Sequence, residues 1–277
     1  MRKIEFRVGI PEVSGRFLIE AKKKNYKIMV SASRFWKRKR EAFAKPGHRL
    51  EGLDIFLDSA GFTAMRHWGG FPWTTDQYLG LVSQGTWTHW SQMDLCCEPE
   101  IAKDEVEVLG RVQGTADLLD ELTTKARARG MSLPLPVLQG WSPTHYRRSA
   151  ELADNILGGT WPDLIGVGSV CRRDVHGPNG VLSIVDELDT FLPQGVRIHL
   201  FGVKSQALAA LQGYDRVSST DSMAWDLRVR WACRKTGERY TMDKRIAGMH
   251  QWVDQQSKIL EESQAIPQLK LPLWRTL

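Results

Sequence analysis

Leu53-Asp54-Ile55-Phe56-Leu57-Asp58-Ser59-Ala60-Gly61-Phe62 is the stretch that decides how this chain is read. An apolar run of strand length and strand composition ends on a carboxylate, and small residues follow where the strand gives way to a turn. A second run does the same far along the chain, Arg216-Val217-Ser218-Ser219-Thr220-Asp221-Ser222. In a parallel barrel, Asp58 and Asp221 would emerge on one rim, the rim that carries catalysis in that architecture. A nucleophile and an acid/base, both carboxylates, are what displacement at a glycosidic carbon requires. A lone aspartate after a strand serves equally well as a helix cap. Two of them, with matching partners on other strands, favour chemistry.

Working outward, eight strand candidates lie near residues 3–8, 27–32, 53–58, 89–95, 134–139, 163–168, 196–202 and 215–219. Helical segments separate most of them. Ser142-Pro143 supplies an N-cap and an N1 proline for a helix from Tyr146 to Leu157, stopped by Gly158-Gly159. Asp104 to Arg129 is charged and periodic, Ser205 to Leu211 is short and apolar, and further helices are expected from Met223 and Met242 onward. Strands alternating with helices, without a repeat, predict an α/β fold with a parallel sheet. Eight such units point to a (β/α)8 TIM barrel. A doubly wound open sheet is the alternative, but no Gly-x-Gly-x-x-Gly turn follows the first strand. The expected organisation is one domain over 1–277, with the barrel to about 230 and a helical C-terminal extension over about 231–277. Residues 59–88, carrying Phe62, Trp68, Phe71, Trp73 and Trp87, read as an aromatic-rich insertion after the third strand, an overlong loop with a short helix. Residues 267–277 read as a docking tail.

The 277-residue length suits one such barrel, and 42% hydrophobic with 25% charged residues describes an ordinary globular protein. No apolar run approaches the ~20 residues that span a bilayer, and no signal-peptide core follows Met1-Arg2-Lys3. Cys96, Cys97, Cys171 and Cys233 form no secretory framework. A cytoplasmic location is therefore expected. The net charge of +6 suggests a polyanionic partner, and its distribution is more telling than its size. Arg34, Lys37, Arg38, Lys39 and Arg40 open a basic segment that runs to Arg49, interleaved with Phe35, Trp36 and Phe43. Such a segment can grip phosphates and stack bases; a solvated loop anchored by a few aromatics is the plainer alternative.

The remaining strand ends add partners. The fourth ends at Asp94, and the fifth places the Gln139 amide before Gly140. The sixth ends Gly166-Val167-Gly168-Ser169-Val170, a turn of small residues whose backbone can approach a ligand closely. With Phe62 beside Asp58, these make a pocket suited to a planar heterocycle.

The order of these motifs resembles the tRNA-guanine transglycosylase family. The matching stretches are Asp58 to Thr63, Met93 to Cys96, Leu138 to Trp141, Gly168 to Cys171, Phe201 to Lys204, and Asp221, spanning roughly residues 27 to 230. The resemblance is closer to the 7-deazaguanine DNA-modifying branch, DpdA, of phages and bacterial genomic islands, which shares the Ser-x-Asp-Ser turn seen at Ser219 to Ser222. It implies that Asp221 is the nucleophile at C1′ and Asp58 the general acid/base. Phe62 would stack on the base, Asp94 and Gln139 would bond its pyrimidine edge, and Ser59 and Gly140 would also bind it. Gly168 and backbone groups at Ser169 and Val170 would meet the 7-substituent. The implied reaction exchanges guanine in DNA for a 7-deazaguanine such as 7-cyano-7-deazaguanine, with no cofactor. Action on tRNA, a catalytically silent nucleic-acid-binding paralogue, and an unrelated nucleoside hydrolase are the alternatives. The chain departs from the tRNA enzymes at Ala60 and Thr63, and it lacks their zinc-binding cysteine cluster. Past Asp221 only Cys233 and His250 could serve a metal, too few for a tetrahedral site.

Overall fold

The computed structural model describes residues 4–13 and 15–265. The chain opens with β1 (Glu5–Gly9), α1 (Arg16–Lys23) and β2 (Ile28–Ser31). A small hairpin of β3 (Trp36–Lys37) and β4 (Ala42–Phe43) follows, then β5 (Ile55–Asp58), α2 (Gly61–Trp68), α3 (Thr75–Val82) and β6 (His89–Trp90). The second half alternates regularly: α4 (Glu105–Ala128), β7 (Val137–Leu138), α5 (Pro143–Leu157), β8 (Leu164–Val167), α6 (Val181–Phe191), β9 (Arg197–Leu200), α7 (Ser205–Leu211) and β10 (Val217–Ser222). The helices α8 (Ala224–Thr236) and α9 (Met242–Ala265) come last.

Eight strands form one parallel sheet in the order β6-β5-β2-β1-β10-β9-β8-β7, curled so that its two edges meet. A parallel bridge between Ser91 and Leu135 joins them. Leu135 N–H donates to Trp90 O at 2.8 Å, and Gln92 N–H donates to Leu135 O at 3.0 Å. The pairing is short because β6 and β7 are short, and a side chain completes it. The buried Gln92 amide accepts from Val137 N–H at 2.9 Å and donates to Thr115 O at 2.7 Å. This is an α/β fold of TIM-like form.

All eight expected strands are present, with shifted ends. The last runs on through Ser222, so Asp221 lies within paired strand, in register with Arg7 of β1. The helix signals also hold. Ser142 caps α5 through a capping box with His145, Asp104 caps α4, and Gly158 ends α5 in the left-handed conformation.

Two expectations are corrected. Residues 59–88 hold two helices, α2 and α3, rather than a loop with one; Thr74 and Gln77 start α3 with a second capping box. The basic segment is not a loop presenting its aromatics. Phe35 and Trp36 are buried, and Trp36, Phe43, Trp68 and Phe71 close around Trp73 with ring centroids 5.0–5.7 Å apart. These rings face one another because the 59–88 segment folds back over the hairpin, and mutual burial outweighs exposure by kilocalories per ring. The docking tail lies outside the described residues. No described helix is long and apolar enough to cross a membrane.

The lower barrel is polar. Arg7, almost fully buried, stacks on Phe56 with its guanidinium 3.3 Å from the ring centroid, and it is paired with Glu5 at 2.6 Å and Asp54 at 2.9 Å. From Phe56 a column of rings rises through His199 (5.3 Å) to Phe201 (4.7 Å further). Phe201, at the top of that column, lines a cavity at the catalytic rim.

Candidate active site

The cavity, about 460 Å³, opens at the carboxyl ends of the strands and is walled by Asp58, Phe62, Asp94, Gln139, Gly168, Ser169, Phe201 and Asp221. That is the rim where barrel enzymes place their chemistry, and the volume suits a nucleobase-sized ligand. Seven of these eight are sequence-derived site residues; the eighth, Phe201, belongs to a matched motif.

On one side the polar groups are tied into a chain. Ser59 Oγ donates to Asp94 Oδ1 at 2.6 Å, and the Gln139 amide nitrogen donates to the other Asp94 oxygen. Gln139 Oε1 accepts from Ser169 Oγ at 2.6 Å, and that hydroxyl accepts from Cys97 N–H at 2.7 Å. Ser59 is fully buried behind Asp94, so it orients the carboxylate rather than lining the cavity. Small residues permit the closeness. A Cβ at Gly168 would run into the Gln139 amide, and one at Gly61 would lie 2.9 Å from Asp94 Oδ1. Ala60 and Ser169 both hold left-handed backbone, φ 74° and 53°. Strain of this kind persists where surrounding contacts over-determine the backbone.

Charge is crowded here. Asp58 is pushed up to about 7, first by burial, then by the charges of Asp94 and Asp221. Asp94 is raised too, by burial, against the hydrogen bonds from Ser59 and Gln139. A carboxyl that titrates near neutrality can give and take a proton in one cycle. Asp221 stands opposite in a different setting. Gly202 N–H donates to its Oδ1 at 3.0 Å, and His199 Nε2 lies 3.4 Å from the same oxygen. His199 is fully buried, its Nδ1 bonded to Ser219 Oγ at 2.8 Å, and burial holds the ring below its ordinary value, so it is neutral.

Besides Ser59, two sequence-derived residues stand back from the cavity. Val170 packs in the core against the β8 side of the barrel, leaving only its backbone toward the turn. Gly140 belongs to a turn gripped by Arg173, whose guanidinium donates to Gly140 O at 2.9 Å and Ser169 O at 2.7 Å. Sequence reasoning missed Arg173, because nothing in Arg172-Arg173 distinguishes a buried clamp from its exposed neighbour. It also missed His199, whose signal was available: a histidine two residues before Phe201, on the inward face of a strand. Among the cations, Arg34 reaches the cavity wall, whereas Lys37, Arg38, Lys39 and Arg40 project from the hairpin into solvent.

Cys233 lies on the buried face of α8, and His250, on α9, bonds Tyr26 at 2.9 Å. Among the described residues no three His, Cys, Asp or Glu side chains are grouped to hold a metal ion. Cys96, Cys97 and Cys171 are each pushed up to about 12, chiefly by burial, and are inert thiols at neutral pH.

A barrel rim with paired carboxylates beside a heterocycle-sized cavity offers the groups that displacement at a glycosidic carbon requires. The model of the family DpdA, DeoxyPurine in DNA protein A, matches residues 27–273, and the chain belongs to that family. At the level of the family it is a transglycosylase of the 7-deazaguanine DNA-modifying, tRNA-guanine-transglycosylase-like branch. No curated protein matches the chain.

Proposed function

We propose that this protein exchanges guanine in DNA for a free 7-deazaguanine base through a covalent intermediate on Asp221. The Asp221 carboxylate attacks C1′ of the target deoxynucleotide, a C1′–O bond forms, and the C1′–N9 bond breaks. The electrons of that bond go to the departing guanine, which takes the proton of Asp58. The incoming base then attacks C1′, the C1′–O bond returns its electrons to Asp221, and Asp58 recovers a proton from the incoming nitrogen. Two displacements retain configuration, and the scheme draws on protein carboxylates alone.

The observation that carries this reading is the electrostatic difference between the two aspartates. Asp58, raised to about 7, is a proton carrier at working pH. Asp221 receives one backbone N–H and faces a neutral imidazole, which suits an oxygen nucleophile. Phe62, partly exposed at the cavity wall, stacks on the base. Asp94 and Gln139, held as a pair, read its pyrimidine edge, and backbone groups at Ser169 and Val170 face the 7-substituent. Arg34, Lys37, Arg38, Lys39 and Arg40 hold phosphates of the strand, which must release the target nucleotide from the stack.

The test is to incubate the protein with labelled 7-cyano-7-deazaguanine and duplex DNA or unmodified tRNA, alongside Asp221→Asn. Label is expected in DNA, with an adduct between wild-type protein and DNA that survives denaturation, and none with Asp221→Asn. Normal turnover by that variant removes Asp221 from the nucleophile role. Labelling of tRNA without DNA overturns the substrate assignment.

A further inference from the structure

We propose that α8 is a second nucleic-acid contact: a ridge leaving the cavity mouth on which bases flanking the target nucleotide stack, with Trp231 as its outer platform. This deepens the DNA reading above and rests on it.

Met223, at the N-cap of α8, and Leu227 line the cavity. Both are exposed, at 36% and 53%, and one turn further Trp231 is 72% exposed. At 3.6 residues per turn these three positions fall within roughly 80° of the helix circumference. The opposite face carries Trp225, Asp226 and Cys233, all buried. The exposed stripe is therefore the face that packing among the described residues does not use. Its borders are cationic: Arg230 lies on one side, Arg228 and Lys235 on the other, and Arg234 closes the stripe at its C-terminal end, all exposed. Arg230 is itself braced across the Tyr240 ring at 5.4 Å.

An exposed apolar ridge bordered by four cations and continuous with an active-site cavity fits one occupant, the polynucleotide strand. Every base offers a face to stack on, and every step a phosphate for an arginine. Geometry sets the reach. Eight residues of helix advance ~12 Å, which corresponds to roughly three or four nucleotides of stacked strand. Because α8 follows the carboxyl end of β10 and the basic hairpin follows that of β2, both sit on the catalytic rim.

The experiment measures anisotropy of labelled DNA duplexes, without free base, on wild type, Trp231→Ala, Trp231→Phe and the pair Arg230→Gln/Arg234→Gln. Trp231→Ala is expected to weaken binding roughly 5- to 100-fold, and Trp231→Phe to recover most of it. An abasic site three or four nucleotides from the target guanine should weaken wild type while adding little to Trp231→Ala. The arginine pair should lower the salt slope by about 2. Unchanged affinity in Trp231→Ala overturns the proposal. So does a shift from dimer to monomer at unchanged DNA affinity, which would make the ridge a contact between copies. Exchange activity of wild type against Asp221→Asn, assayed separately, reports on the transglycosylase reading, so the two failures are distinguishable.

Discussion

The β3–β4 hairpin and helix α8 carry nearly the same composition and use it in opposite ways. Each mixes arginine and lysine with tryptophan on the catalytic rim. In the hairpin the rings turn inward, Trp36 sealed against Phe43 and Trp73, while the cations meet solvent. In α8 one tryptophan, Trp225, is buried with its indole N–H donating to Gly9 O at 3.1 Å, while Trp231 stands outside. The lesson is that a basic-aromatic segment states what it can do to a nucleic acid without stating which rings are left to do it.

Four outcomes would break or sharpen that contrast. The largest is Trp36→Ala, expected to cost about 3–5 kcal/mol of stability because a packed indole leaves a cavity among rings that cannot collapse into it. Chemical denaturation measures it, and a loss under ~1 kcal/mol would mean the hairpin's aromatics are not structural.

Next comes the cavity floor between the two regions, where burial penalises a carboxylate instead of rewarding a ring. Asp58 titrates at about 7 in the folded protein against an ordinary 3.8. Between those pH values the folded state keeps a proton that the unfolded chain has lost, so stability falls as pH rises through that window. The full penalty is present above pH 7. Asp58→Asn should therefore be more stable than wild type at pH 8, by up to about 4 kcal/mol at ~1.36 kcal/mol per pH unit. The excess should fade toward pH 4, while base exchange drops at least ~10²-fold. A stability gap that ignores pH would remove burial of charge as its cause.

The third outcome separates charge from rings within the hairpin. Replacing Lys37, Arg38, Lys39 and Arg40 together by Gln should leave the melting temperature nearly unchanged. It should lower the slope of log affinity against log salt by up to about 3.6, since each phosphate contact contributes ~0.9. A preserved slope would place the phosphate grip elsewhere. The smallest effect is the counterpart of the first: Trp231→Ala should change stability by no more than about 0.5 kcal/mol, as for other exposed positions. A loss comparable to that of Trp36→Ala would show that α8 packs its outer tryptophan after all.

Much of the fold was legible because it rests on short-range signals. Ser142-Pro143 and Gly158 bound α5 by local hydrogen bonding and backbone freedom, and the apolar runs before Asp58 and Asp221 carry the period of strands wherever they sit. The helix pair α2–α3 was missed because turn residues such as Gly69, Gly70 and Pro72 break the periodicity between them. Sequence alone thus determined that carboxylates stand at or next to the carboxyl ends of strands β5 and β10 and that Gln139 and Gly168-Ser169 follow two others. Only the tertiary structure decided what those groups became. Asp58 shifts toward 7 because the closed barrel buries it, and because Asp94 and Asp221 arrive beside it from distant strands. His199 meets Asp221, and Arg173 clamps two turns, through contacts that no local pattern encodes. The direction each tryptophan faces was settled in the same way, by which neighbouring element came to cover it. Burial and electrostatics depend on separation in space, and that is set only when the sheet curls and its edges meet.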